Sequence, residues 1–383
     1  MKKLFFIGVI LFSLQGYSQK TELSEQAEIS VITCGPGQEQ VFTAFGHSAI
    51  RVYDPVHQIN VAFNYGVFDF NQPNFYLNFA RGKNYYRLAV QDYDRFVYAY
   101  IYYNRYVHEQ MLNLTGKQKQ RLFDYLQWNA LPENQYYLYD YFYDNCATKL
   151  PELMTKVFGD TVLFDGSYIT SNYSIRELTD LYLTEQPWGD LGIDICLGLP
   201  MDKIASPYEY MFLPDFVESG FDHAVINGKP LVKRKLIINE PLSQQTSGST
   251  MITPLSIFSF FGLITLAITL FDFYRKKKSN WYDIVLFTSI GILGVLLMLL
   301  WVATDHKAAA NNLNLLWALP THLIISFALI KKYVGIRKYF LVILIINAFL
   351  LFSWPWLPQL LHHSLIPIIL AISMRVLVQY RTP

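Results

Sequence analysis

The last third of the chain carries five runs of mostly apolar residues, at 252–274, 281–302, 314–330, 339–356 and 361–379, more than a water-soluble core can absorb in so short a stretch. A helix of about 20 apolar residues spans the hydrocarbon of a bilayer, where every backbone group must be satisfied within the segment. Residues 251–383 are therefore expected to form an all-α transmembrane domain with five spans. The last two runs are the weakest, because Pro355, Pro358, His362 and His363 interrupt them. Cationic clusters set the orientation: Arg275-Lys276-Lys277-Lys278 follows the first run, Lys331-Lys332 and Arg337-Lys338 the third, and Arg381 the fifth. Positive residues stay inside. The C-terminus is thus expected in the cytoplasm, and the connections 305–312 and 354–361 outside.

Residues 19–236 have a different composition, mixing charged, polar and aromatic side chains as a globular domain does. Ahead of them, Met1-Lys2-Lys3, an apolar stretch from Leu4 to Leu14 and Gly16-Tyr17-Ser18-Gln19 have the layout of a secretory signal peptide over 1–18. The apolar part is too short for a dependable spanning helix. After them, 237–250, with Ser243-Gln244-Gln245-Thr246-Ser247-Gly248-Ser249, reads as a polar linker. A net charge of +1, with no concentrated basic face, gives no reason to expect nucleic acid. Three cysteines, Cys34, Cys146 and Cys196, leave at least one thiol unpaired in an exported domain. Cys34 and Cys196 either form a disulfide or are reduced core residues, and in both cases Cys146 stands alone.

Alternation of side chains predicts strands at 29–33, 47–53 and 60–68. Helices are expected over 92–111, from the N-cap Thr115 to about Asn129 with Leu122, Phe123 and Leu126 inward, and from about Asn145 to Gly159. Tyrosine is dense between Tyr85 and Tyr143. A core role is favoured for these rings over a surface touching lipid headgroups.

The strand that begins Phe45-Gly46-His47-Ser48 puts Ser48, Ile50 and Val52 on one face and His47, Ala49, Arg51 and Tyr53 on the other. Packing Ile50 and Val52 beside Val61 and Phe63 of the next strand brings His47 and Asn64 together, opposed or diagonal, on the other face. Asn64 can then orient the imidazole, as the third member of a nucleophile–base pair does. In Tyr143-Asp144-Asn145-Cys146-Ala147-Thr148, Asp144 or Asn145 is a natural N-cap, and Cys146 falls in the first helical turn. There the unpaired N–H groups favour a thiolate, and an adjacent imidazolium favours it further. Asp144 opposes this unless it is turned away or engaged in capping. Arg51 shares the His47 face and suits either a phosphate or a salt bridge. Thr304-Asp305-His306-Lys307 reads first as a solvated loop and second as a headgroup or substrate contact. His362-His363 is expected at the outer interface, and neither this pair nor His57, His108 and His223 has metal-ligand spacing. No cofactor motif is present in the sequence.

The motifs Phe45-Gly46-His47-Ser48-Ala49-Ile50-Arg51-Val52 and Asp144-Asn145-Cys146 resemble the Lnb family, lipoprotein N-acyltransferases of the Bacteroides type. So do Ile32-Thr33-Cys34-Gly35-Pro36-Gly37, Phe63-Asn64-Tyr65-Gly66, Met211-Phe212-Leu213-Pro214 and the polytopic C-terminal part. The order of a His strand before an Asn-Cys helix start is also similar to the circularly permuted papain-like fold of the lecithin–retinol acyltransferase group. This resemblance implies an α+β papain-like periplasmic catalytic domain on a five-helix inner-membrane domain. It further implies that Cys146, with His47 as base, takes an acyl chain from a glycerophospholipid and passes it to the N-terminal amine of a diacylglyceryl-lipoprotein. A second His often holds the third position in that group, where this chain has Asn64. Arg51, Tyr65 and Asn145, in or beside these motifs, are the candidates for substrate contact. Two alternatives stay open: a Cys–His amidase or peptidase acting on cell-wall peptide, and a non-enzymatic membrane assembly factor.

Overall fold

The computed structural model describes residues 21–68, 70–242 and 252–381. The expected signal peptide and most of the expected linker lie outside them. Strands β1 (Glu28–Cys34), β2 (His47–Asp54), β3 (Ile59–Val67), β4 (Asn84–Asp92), β5 (Val107–Leu112) and β6 (Tyr136–Tyr139) join Val232–Asn239 in a seven-stranded sheet. Its order is Val232–Asn239, β5, β1, β2, β3, β4, β6, and every neighbouring pair is antiparallel. Because the last strand runs to Asn239, the first residues expected as linker belong to the sheet edge.

The register follows from the apolar pattern. Ile50 faces Phe63 and Val52 faces Val61, and both pairs lie on the sheet face covered by α3 (Gly116–Asn129) and α4 (Lys149–Phe158). A one-residue slip would turn this whole set toward the other face. Thr115 caps α3 in a reciprocal box with Gln118, worth about 1 kcal/mol, and Leu122, Phe123 and Leu126 point inward as expected. On the opposite face, Ile32, Cys34, Ala49 and Ala62 are covered by Tyr93, Phe96 and Val97 of α2 (Tyr93–Tyr102).

The single helix expected over 92–111 is two elements. Asp92 caps α2, the helix stops before Asn104 at φ 53°, and Val107–Leu112 becomes β5 between β1 and the last strand. Burial of Val107 and Met111 in the sheet outweighs the helical period. The tyrosines also divide: Tyr93 is core, whereas Tyr85, Tyr98, Tyr102, Tyr103 and Tyr136 are exposed.

Five helical segments are long and apolar enough to cross a membrane: Pro254–Arg275, Asn280–Val302, Leu313–Ile330, Arg337–Trp356 and His363–Arg381. At the end far from the sheet, Arg375 of the fifth span is fully buried and bonds Asp283 of the second at 2.5 Å and Asp272 of the first at 2.7 Å. Pairing offsets the cost of holding these charges inside the bundle.

At the near end the membrane helices are bonded to the sheet domain. The Asn312 amide donates to the Ile195 carbonyl at 2.8 Å, and the Gln359 amide to the Leu197 carbonyl at 2.9 Å. Backbone bonds run from Gly198 N to Ala308 O (2.7 Å) and from Leu199 N to Ala310 O (3.1 Å). The partners belong to α6 (Pro187–Cys196) and the turn after it. The stretch 304–307, expected first as a solvated loop, is part of this seam: Asp305 N donates to Arg81 O at 2.9 Å, and His306 Nε2 to Phe79 O at 3.1 Å. His362 is buried and pairs with Asp190 at 3.3 Å.

Candidate active site

His47 opens β2. Gly46 precedes it at φ +77°, and a Cβ there would crowd the Cys34 carbonyl, so the turn into the strand depends on glycine. The His47 ring is stacked on Tyr100 at 6.2 Å with 11° between planes, and Phe96 closes another side at 6.1 Å. Its Nε2 lies 2.6 Å from Asn64 Oδ1, and Asn64 Nδ2 donates to Gln91 Oε1 at 3.1 Å. Of the opposed and diagonal placements that the strand pattern allowed, the diagonal one is found.

Cys146 sits in the turn that leads into α4. The regular helix starts at Lys149, later than the expected start near Asn145. The helical hydrogen bonding nevertheless begins at Asn145, whose carbonyl accepts from Lys149 N at 3.1 Å. Asn145 Oδ1 accepts from Ala147 N at 2.8 Å and Thr148 N at 2.9 Å, as an N-cap does. Its Nδ2 donates to the carbonyls of Tyr141 and Phe212, each at 2.8 Å. Asn145 therefore pins both flanks of the thiol rather than reaching into the open space. Asp144 is turned away and paired with Lys149 at 2.5 Å. Opposite the thiol, Gly66 has φ +83°, and a Cβ there would stand 3.4 Å from that of Cys146.

The Cys146 thiol and the His47 imidazole line the same wall and shift each other. Burial pushes the thiol up, but the charge and hydrogen bond of His47, with the backbone N–H groups of Ser48 and Ala147, outweigh it and leave Cys146 below the usual thiol range. Burial likewise pulls His47 down, and the sulfur and Asn64 more than compensate, so His47 lies above the usual imidazole value. Both shifts favour a thiolate–imidazolium pair.

The pair lies on a cavity of about 830 Å³. Phe42, Phe45 and Phe68 line it from the sheet domain, and Leu300 with residues 305–309 lines it from the membrane side. Asn64 and Asn145 lie in the wall, but two other residues singled out from the sequence are elsewhere. Arg51 Nη1 donates to both carboxylate oxygens of buried Glu109, at 3.0 and 3.1 Å, and the guanidinium lies over the Tyr93 ring at 3.7 Å. That engagement removes it as a phosphate ligand. Tyr65 is on the covered face, where its hydroxyl donates to Asn129 at 2.7 Å. Of the remaining cysteines, Cys34 is buried and Cys196 exposed; all three are free thiols.

Sequence reasoning missed Arg105, Tyr100, Tyr86 and Tyr139, which all line the cavity. The density of tyrosine before Tyr143 was the available signal. Asp180, Asp190 and Asp194 are the described residues close enough together to hold a metal ion. They lie away from the thiol, against Arg176 and His362, and burial with the neighbouring carboxylates pushes Asp180 up to about 8.

No curated protein and no solved structure gave a match to the chain. Two family models did. The Lnb N-terminal periplasmic domain matches residues 17–185, which hold His47, Asn64 and Cys146, and the Lnb transmembrane domain matches residues 245–382. With a sheet-rich α/β domain assigned to the periplasm, five membrane-crossing helices after it and matches to both parts, the chain belongs to the Lnb family.

Proposed function

We propose that the protein is a lipoprotein N-acyltransferase that uses a membrane glycerophospholipid as acyl donor, with Cys146 as nucleophile, His47 as acid and base, and Asn64 as the group that orients the imidazole. The Cys146 thiolate attacks the ester carbonyl of the phospholipid. As the sulfur becomes neutral, the N–H groups of Ser48 and Ala147 lose their anion and can serve the new oxyanion. The carbon–oxygen bond breaks, the His47 imidazolium protonates the departing lysophospholipid, and a thioester remains on Cys146. In the second half, the N-terminal amine of a diacylglyceryl-lipoprotein attacks the thioester, neutral His47 takes its proton, and an amide forms as the thiolate is regenerated.

The observation that carries this reading is the place of the pair, half-buried on a largely apolar cavity whose far wall is made by the ends of the membrane helices. Lipid substrates need such a wall, and an enzyme for soluble peptide does not. The orientation that serves it has the C-terminus in the cytoplasm, with Arg275, Lys331, Arg337 and Arg381 on the inner side.

The test is the full chain in detergent with acyl-labelled phospholipid. A hydroxylamine-sensitive label on Cys146, absent from Cys146→Ala and transferred to a lipoprotein amine, is expected. Triacylated lipoproteins in cells relying on Cys146→Ala alone would reject it.

A further inference from the structure

Arg105 is 9% exposed and stands in the wall of the cavity that holds Cys146 and His47. Its Nε donates to the Gly35 carbonyl at 2.6 Å, and its guanidinium carbon lies 4.8 Å from the centre of the Tyr100 ring, the same ring that stacks on His47. Those contacts fix the plane of the group and leave the two terminal nitrogens without an ion pair among the described residues. Among the described residues no carboxylate comes within ion-pair distance of it. Glu39 accepts from Thr43 at 3.2 Å, Asp140 caps the N–H groups of Phe142 and Tyr143 at 2.9 and 3.1 Å, and Asp305 faces Lys83 at 3.8 Å. A buried guanidinium with no counter-ion is costly, and one held flat with two free nitrogens suits the paired oxygens of a phosphate.

We propose that Arg105 is the anion anchor of the cavity and binds the phosphodiester of the acyl-donor phospholipid, holding its ester beside Cys146. This rests on the acyl-transfer reading above and adds a donor-specific site to it. The acceptor's diacylglyceryl group carries no phosphate, so Arg105 acts in the first half-reaction and not in the second. It also takes the role that the sequence suggested for Arg51, whose charge is spent on Glu109.

The experiment uses the full chain in detergent and compares two acyl donors, a short-chain phosphatidylethanolamine and the p-nitrophenyl ester of the same fatty acid, which has no phosphate. Arg105→Gln is expected to slow thioester formation from the phospholipid roughly tenfold or more, and from the neutral ester less than about twofold. Arg105→Lys, which keeps a point charge, should recover part of the phospholipid rate. An equal loss with both donors, or no loss with the phospholipid, overturns the proposal. A second readout needs no turnover: a non-hydrolysable ether analogue of the phospholipid should shield Cys146 from iodoacetamide in the wild type and not in Arg105→Gln. If the wild type makes no thioester while this shielding persists, the acyl-transfer reading falls and the anion site stands. Shielding by inorganic phosphate as strong as by the ether lipid would overturn the assignment to a headgroup.

Discussion

Nε2 of His47 stands 2.6 Å from Oδ1 of Asn64, and an amide oxygen only accepts, so Nε2 carries a proton and Nδ1 is the atom left for Cys146. The second bond, from Asn64 to Gln91, holds the amide in that orientation. Replacing Asn64 with Ala should therefore free the ring to turn and lower the rate of lipoprotein acylation roughly a hundredfold, with little change in unfolding temperature. Asn64→Asp, which keeps the acceptor, should retain much more. Equal activity in Asn64→Ala and the wild type would remove Asn64 from the site.

The charge pair makes a separate prediction about pH. In the wild type, alkylation of Cys146 by iodoacetamide should persist below the usual thiol range, because His47 holds the thiol down against burial. His47→Ala removes the lowering influence and leaves the burial, so the alkylation profile should move up, past the ordinary thiol value. A profile that stays in place would mean that the two groups do not interact.

Arg51 and Arg105 should separate cleanly. Arg51→Met leaves the carboxylate of Glu109, which is 2% exposed, with the Ser30 and Tyr93 hydroxyls but no counter-charge, and should cost about 3 kcal/mol in detergent unfolding experiments. The preference between phospholipid and neutral-ester donors should not change. A shift in that preference would return Arg51 to the substrate.

The seam between the two halves can be tested at Gly198. A Cβ at this position would overlap the Ala310 carbonyl, and the bond from Gly198 N to Ala308 O crosses the same seam. Gly198→Ala should raise hydrogen–deuterium exchange around residues 305–310 and reduce acylation, while the sheet strands keep their protection. Unchanged exchange at that loop would show that the seam tolerates the methyl.

Much of the site was legible because it is built from short-range rules. Period-two alternation in β2 and β3 placed His47 near Asn64, and the Asx cap ahead of Cys146 announced a thiol at a helix start. The five apolar runs announced the membrane half. Arg105 was hidden because it lies between α2 and β5, where one helix was read through both elements. The docking seam was hidden for another reason. Asn312 and Gln359 look like ordinary polar residues of connecting loops, and their partners are the carbonyls of Ile195 and Leu197, which side-chain chemistry does not encode. Arg51 suited either a phosphate or a salt bridge, and period-two alternation could not choose between them because the carboxylate it meets comes from β5, on the far side of β1.

The wall formed by Leu300 and residues 305–309 is translated long after Cys146, and Gln359, which fastens the seam, comes later still. Synthesis order therefore leaves the thiol open at first: until the second span and the loop after it are made, Cys146 stands without the far wall of its cavity, and the seam beside that wall is completed only when Gln359 follows.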